Sequence, residues 1–225
     1  MITPRTPLTA RGRFLSLIEF LLGAFVVLGH NVFRILPNEV PILVVAGWIS
    51  LRLRKGGWKA AGFRRPNSWW KTVALAVGGA VVLQAGGELI LGPLISRIWP
   101  EPQQLPQILN STSLGWKQAL ITLLIVWTFA AFGEELSYRG YLLTRAAEFL
   151  GQSRAAYVLA AVLIAVLFGF GHYYKGPAGV ADSTYSGLVY GAVFLLSGRN
   201  LWAPILAHGI SDTFALLVVF MGGAA

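Results

Sequence analysis

Apolar residues run along this chain in long blocks, separated by short polar or Gly/Pro-rich stretches. The blocks fall at about 13–35, 40–52, 71–93, 117–137, 155–172, 180–197 and 201–222. Most have the reach of a membrane-crossing helix, which needs about 20 apolar residues. The block at 40–52 is short for a full crossing and is either re-entrant or joined to its neighbours. Residues 134–150 either extend the fourth block as one long helix or form a separate amphipathic one. Turns are expected at "GQSR", 151–154, and "SGRN", 197–200. The pattern predicts an all-α, polytopic membrane protein of seven or eight short spans, organised as a single membrane domain over 1–225.

Composition agrees. Of 225 residues, 56% are hydrophobic and only 12% charged, too little charge to clothe a soluble domain of this length. There is no cysteine, which excludes disulfides, thiolate metal sites and a Cys nucleophile. The first apolar block follows a basic start, and no small-residue cleavage site closes it. A retained first helix is therefore expected rather than a removed signal peptide.

The net charge of +9 comes from 18 basic against 9 acidic residues. In a membrane protein such an excess points to cytoplasmic loops and anionic lipid headgroups, so membrane lipids are expected partners and nucleic acid is not. Between the second and third blocks, Arg52, Arg54, Lys55, Lys59, Arg64, Arg65 and Lys71 alternate with Trp58, Trp69 and Trp70, a mixture suited to the membrane interface. With Arg5, Arg11 and Arg13 this loop argues for a cytoplasmic N-terminus. The loop 99–115 has no basic residue and falls outside, while Arg139, Arg145, Arg154 and Arg199 return inside. Gly187 and Gly191 form a small-xxx-small pair, and Gly169 and Gly171 lie close together in the preceding block; both pairs suit close helix approach.

Ionisable groups inside apolar blocks are the candidate chemistry. Glu39, Glu101, Glu148 and Asp182 belong to loops or helix ends, which leaves Glu19, Glu88, Glu134, Glu135 and Asp212, with His30, His172 and His208, within or at the ends of the blocks. Each such group costs about 2.5–3.5 kcal/mol or more in a bilayer, so several together indicate a site. For Glu19, His30 and Glu88 a structural role is the simpler reading. Glu135 and Arg139 are four apart with the acid first, the favourable order for a helical ion pair. His208 and Asp212 are also four apart and share a helix face, and Phe168 and His172 repeat the interval. Glu134 and His172 each lie about 27–30 Å from the turn at 151–154 at 1.5 Å per residue, which would bring them to similar depth in antiparallel neighbours.

In this order, "EELSYR" (E-E-x-x-x-R), "FGFGH" (F-x-x-x-H) and "HGISD" (H-x-x-x-N/D) resemble the three motifs of the CPBP family, which groups type II CAAX prenyl endopeptidases with bacterial Abi proteins linked to bacteriocin processing and self-immunity. "GYLLTR" and "LWAPILAHG" look like family context, and the similar region is about 117–215. The resemblance implies an intramembrane endopeptidase of a bacterial inner membrane, its site open toward the cytosol, acting on a membrane-associated peptide or protein: prenylated and CAAX-like, or of leader or bacteriocin type. It also implies that Glu134 and His172 activate a water, with His208 and Asp212 serving the oxyanion.

General physics fits those roles. A desolvated carboxylate is a stronger general base, and a neighbouring imidazole can pass a proton to the leaving amine. An ionised Asp only accepts hydrogen bonds, so Asp212 is better cast as orienting His208. Glu135, paired with Arg139, holds the helix and tunes its neighbour; spacing does not say which glutamate is the base, and the resemblance favours Glu134. No cofactor is favoured, and without an H-E-x-x-H motif a zinc site would need Glu134, His172 and His208 from separate helices. Competing readings are a set of polar contacts locking helices together, a proton-coupled transporter, and a proteolytically silent scaffold or immunity protein.

Overall fold

The computed structural model describes residues 8–54, 56–100 and 115–221. Arg5, Lys55, Glu101 and most of the 99–115 loop lie outside them. Every regular element among the described residues is helical. Helix α1 (Ala10–Asn31) starts at a Thr9 cap and α2 (Glu39–Leu53) at an Asn38 cap, each side chain accepting a first-turn backbone N–H. After the single turn α3 (Gly57–Ala60), α4 (Trp69–Gly86) continues through a π turn at Gly87–Leu91 into α5 (Gly92–Ile98). Helix α6 (Trp116–Ile125) likewise runs on through a π-helical stretch, Val126–Leu142, into α7 (Leu143–Phe149). Helices α8 (Arg154–Phe170) and α9 (Gly176–Leu196) are joined by a short 3₁₀ turn at Tyr173–Lys175, and α10 (Trp202–Phe220) follows.

Each expected apolar block is thus helical, and 134–150 continues the fourth helix instead of standing apart. Helix length does not support the expected count of seven or eight crossings. Among the described residues three helices are long and apolar enough to cross a membrane: Ala10–Asn31, Trp69–Ile98 and Trp116–Phe149. A fourth arises if α8 and α9, bent by 56° at their break, count as one broken span. The shortfall is one of length: α2 has 15 residues, about 22 Å at helical rise, against the roughly 30 Å of a hydrocarbon core. The lateral faces are apolar, with Leu22, Val81, Leu89, Leu124 and Val158 all exposed, so this is an integral membrane protein whose surroundings are acyl chains.

At the centre is the segment 135–148, in which every residue is buried. Leu136, Tyr141, Leu142 and Leu143 pack with Val27 and Leu43 on one side and with Ala160, Ile164 and Phe194 on the other. Small residues permit the closest contacts. A Cβ on Gly187 would sit 2.8 Å from Ala165 Cα, and one on Gly191 would sit 3.3 Å from Ala161 Cβ, so α8 and α9 meet backbone to backbone at these glycines.

The two ends of the bundle differ. At one end Arg13 donates to the Phe149 carbonyl (2.9 Å). There too Arg64 donates to Gly198 O (3.0 Å), and Asn200 Nδ2 donates to Arg64 O (2.9 Å). Arg199 lies over the Tyr157 ring at 4.2 Å. The starts of α1 and α8, the α2–α4 loop and both expected turns therefore gather together. At the other end the 31–39 turn and the α8–α9 break lie near each other, because Tyr138 reaches both Glu39 and the backbone at Gly171.

Candidate active site

Glu135 and Arg139 are both fully buried, and Arg139 Nη1 donates to Glu135 Oε1 at 2.9 Å. The bond forms although the helix here is π-wound, with Leu143 N bonding Tyr138 O five residues back. Long π stretches are rare and concentrate at functional sites; nothing in the sequence pattern signals this one. Arg139 Nη2 donates to the Gly187 carbonyl of α9 at 3.1 Å. Its guanidinium lies 4.6 Å from the Phe168 ring and 5.4 Å from the Tyr190 ring. A charge so placed is held by a carboxylate, a carbonyl and two π faces together.

The same Glu135 oxygen accepts a second bond, from His208 Nδ1 at 3.1 Å. His208 Nε2 points to Asp212 Oδ2 at 3.4 Å, one turn along α10, and the ring stacks on Tyr190 at 4.5 Å. The expectation that His208 and Asp212 share a face therefore holds, but the stronger hold on the imidazole comes from Glu135. That link joins the first and third motifs, and residue spacing could not show it.

His172 caps the end of α8, where Nδ1 meets the Phe168 carbonyl at 2.9 Å. A carbonyl only accepts, so Nδ1 carries the hydrogen and the neutral ring presents an unprotonated Nε2. Phe168 is the hub of the aromatic packing. Its ring centroid is 4.7 Å from His172, 6.2 Å from His208 and 5.0 Å from Tyr138. The F-x-x-x-H motif thus aligns the imidazole with a carbonyl and fixes its distance from the other two motifs.

Glu134 stands apart from this web. It is half-buried and makes no hydrogen bond or ion pair among the described residues, and its Oε2 is buried without a partner. It nevertheless lies within electrostatic reach of His208, Asp212 and Glu39, and His172 within reach of His208 and Asp212. Glu134 and His172 thus each lie within reach of His208 and Asp212, and the ring of Phe168 and the carboxylate of Glu135 join the motifs. Glu135 also keeps one oxygen, Oε2, without a partner.

Glu39, read from the sequence as a helix-end residue, belongs to this neighbourhood. It is 6% exposed, Tyr138 donates to its Oε1 at 3.4 Å, and His30 Nε2 is 3.6 Å from its Oε2. Its position at the first residue of α2 gives no pattern that could have marked it.

The residues do not fit a zinc ion. Among the described residues no group of three His, Cys, Asp or Glu is placed to hold a metal. Both nitrogens of His208 face carboxylates, so the set Glu134, His172 and His208 is not assembled as a ligand cage.

Fold and site together define a helical membrane protein with an acid–imidazole cluster inside its bundle. Residues 116–214, a little under half of the chain, match the family model described as Type II CAAX prenyl endopeptidase Rce1-like. The match covers all three motifs and supports membership of the CPBP family. No curated protein and no solved structure gives a match.

Proposed function

We propose that this protein is an intramembrane endopeptidase that hydrolyses a peptide bond of a membrane-associated substrate with a water activated by Glu134 and His172. The observation that carries the assignment is the division of labour between neighbouring glutamates. Glu135 is committed through Oε1 to Arg139 and His208, whereas Glu134 has no such tie and keeps a buried, unpartnered Oε2 within electrostatic reach of His208. A buried acceptor without a partner costs stability. Its retention within reach of His208 supports a reaction site over a structural lock.

In this reading Glu134 takes a proton from the water as the oxygen attacks the scissile carbonyl, forming a tetrahedral oxyanion. His172, through Nε2, holds the water's second hydrogen and later relays a proton to the departing amine, so the bond breaks to a free carboxylate and a free amine. His208 is the donor to the oxyanion. Its Nε2–H contact with Asp212 is longer than an ordinary hydrogen bond and leaves that hydrogen available. Asp212 and Glu135 position the ring between them. The mechanism needs no metal, in keeping with the donor set described above; cleavage unchanged by chelation, together with metal analysis of purified protein, tests that point.

The decisive test is cleavage profiling in membranes with wild type against Glu134→Gln and His172→Asn. Loss of cleavage in both, with unchanged folding, supports the proposal; wild-type cleavage by either overturns it.

A further inference from the structure

The end of the bundle where Arg13, Arg64 and Arg199 gather is basic, and its carboxylates are already taken. Glu19 and Glu148 are both held by Arg54 and Arg145. Arg199 makes no ion pair or side-chain hydrogen bond among the described residues, and its guanidinium rests on the Tyr157 ring at 4.2 Å. Residue 199 takes this place in the left-handed backbone region (φ 62°), directly after Gly198 (φ 71°), a conformation uncommon outside glycine. The α3–α4 loop is clamped against it. A Cβ on Gly62 would lie 2.5 Å from the Arg199 carbonyl oxygen, and Arg64 donates to the Gly198 and Arg199 carbonyls at 3.0 and 3.4 Å.

At this clamp lies a small cavity lined by Arg64, Arg199, Thr144 and Tyr157, where Ala60 and Ala61 add little bulk. No carboxylate lines it. Thr144 and Tyr157 are 4% and 8% exposed, yet neither hydroxyl has a hydrogen-bond partner among the described residues. Buried hydroxyls are ordinarily satisfied, so two of them lining one basic space make a place for an acceptor from outside the chain. A guanidinium only donates, and a hydroxyl can donate as well. The matching ligand is anionic and rich in acceptor oxygens, and a phosphate group meets both conditions.

The surroundings distinguish one kind of phosphate from another. Trp58, Trp69 and Trp70 of the same loop suit the headgroup level of a membrane. Beside the cavity, α8 and α9 turn the apolar side chains of Val158 and Leu196 outward. A free anion makes no use of such a surface, whereas acyl chains lie along it. We propose that this cavity is a headgroup site for an anionic phospholipid, whose phosphate is held by Arg64, Arg199, Thr144 and Tyr157. A zwitterionic head would set a further cation beside two guanidiniums with no carboxylate at hand, so it fits less well. None of these residues belongs to the acid–imidazole cluster, and the site does not depend on the proteolytic reading.

The test is thermal unfolding of the full chain in phosphatidylcholine nanodiscs, with and without phosphatidylglycerol. Asn also accepts a left-handed backbone, so Arg199→Asn removes the guanidinium and spares the turn. Tyr157→Phe keeps the ring and removes only the hydroxyl. Lys59→Gln removes an exposed cation of the same loop that does not line the cavity. Phosphatidylglycerol should raise the melting temperature of the wild type. Arg199→Asn should need roughly tenfold more of it for the same shift, Tyr157→Phe should show a smaller shift than wild type, and Lys59→Gln should match wild type. No shift in the wild type, or an undiminished one in Arg199→Asn, overturns the site. An equal loss in Lys59→Gln overturns it too, because diffuse surface charge would then account for the effect. Should Arg199→Asn not fold, an undiminished shift in Tyr157→Phe is sufficient to overturn it. If inorganic phosphate added to phosphatidylcholine nanodiscs reproduces the shift, the lipid assignment is overturned in favour of a free anion.

Discussion

Two clusters of buried charge lie within this bundle, and they are built on different rules. In the first, at the basic end, two carboxylates meet two guanidiniums. Glu19 is held by Ser50, Arg54 and Arg145, and Glu148 by Ser16 (2.8 Å), Arg54 (3.3 Å) and Arg145. Every acid there has a basic partner, and no imidazole takes part. In the second cluster Glu135 Oε1 is held by Arg139 and His208, while Glu134 has no hydrogen-bond partner among the described residues and lies within electrostatic reach of His208. Charges that neutralise one another fasten helices; charges left over at a shared point have chemistry available to them. The same residue types thus serve as a lock in one place and as a reaction site in the other.

The largest effect expected from this contrast is at Glu134. Glu134→Gln preserves shape and breaks no hydrogen bond, so thermal unfolding in detergent should be unchanged. Cleavage should fall by about 10²–10⁴-fold, the contribution of a general base. A large drop in melting temperature would instead mark Glu134 as part of the packing.

Arg145→Met probes the lock. Removing one partner from a buried ionic network leaves the others uncompensated, at about 3–5 kcal/mol. The variant should unfold at lower temperature, while the fraction that remains folded cleaves at the wild-type rate. A selective loss of activity at full stability would show that this cluster communicates with the site and is not merely a fastening.

Asp212→Asn should do less. The carboxamide can still accept from His208 Nε2, and Glu135 continues to hold Nδ1. A decrease of roughly tenfold or less in cleavage is expected, about 1.4 kcal/mol of positioning. An effect as large as that of Glu134→Gln would give Asp212 a direct part in proton transfer.

The contrast also explains what could be read in advance. Periodicity located every apolar block, because burial of long side chains dominates the sequence signal. Spacing found Glu135–Arg139 and His208–Asp212, since i, i+4 partners depend only on local geometry. It did not find the Glu135–His208 bond, the stacking of His208 on Tyr190 or the partnership of Arg54 with Glu148, all of which join residues far apart in the chain. Arg145 and Glu148, three apart, are within reach of the same reasoning, yet Glu148 reads from the sequence as a loop or helix-end residue. Helix length among the described residues supports three or four crossings and not the seven or eight expected, because composition measures how apolar a block is but not how a break such as that at Gly171–Gly176 redirects it.

Glu39 sits between the two kinds of cluster, and so tests whether the division is sharp. Its Oε1 accepts from Tyr138 at 3.4 Å, a long contact, and its buried Oε2 has no hydrogen bond, with His30 Nε2 standing 3.6 Å away. It is contributed by α2, outside the matched residues 116–214, and it places a negative charge within reach of Glu134. If it belongs with the fastenings, Glu39→Gln should keep the Tyr138 contact, lower stability by about 1 kcal/mol or less and reduce cleavage by only a few-fold. If instead cleavage vanishes at unchanged stability, Glu39 acts with Glu134 on the water. The rule that partnered carboxylates are structural and unpartnered ones reactive would then have to give way to one based on contact length.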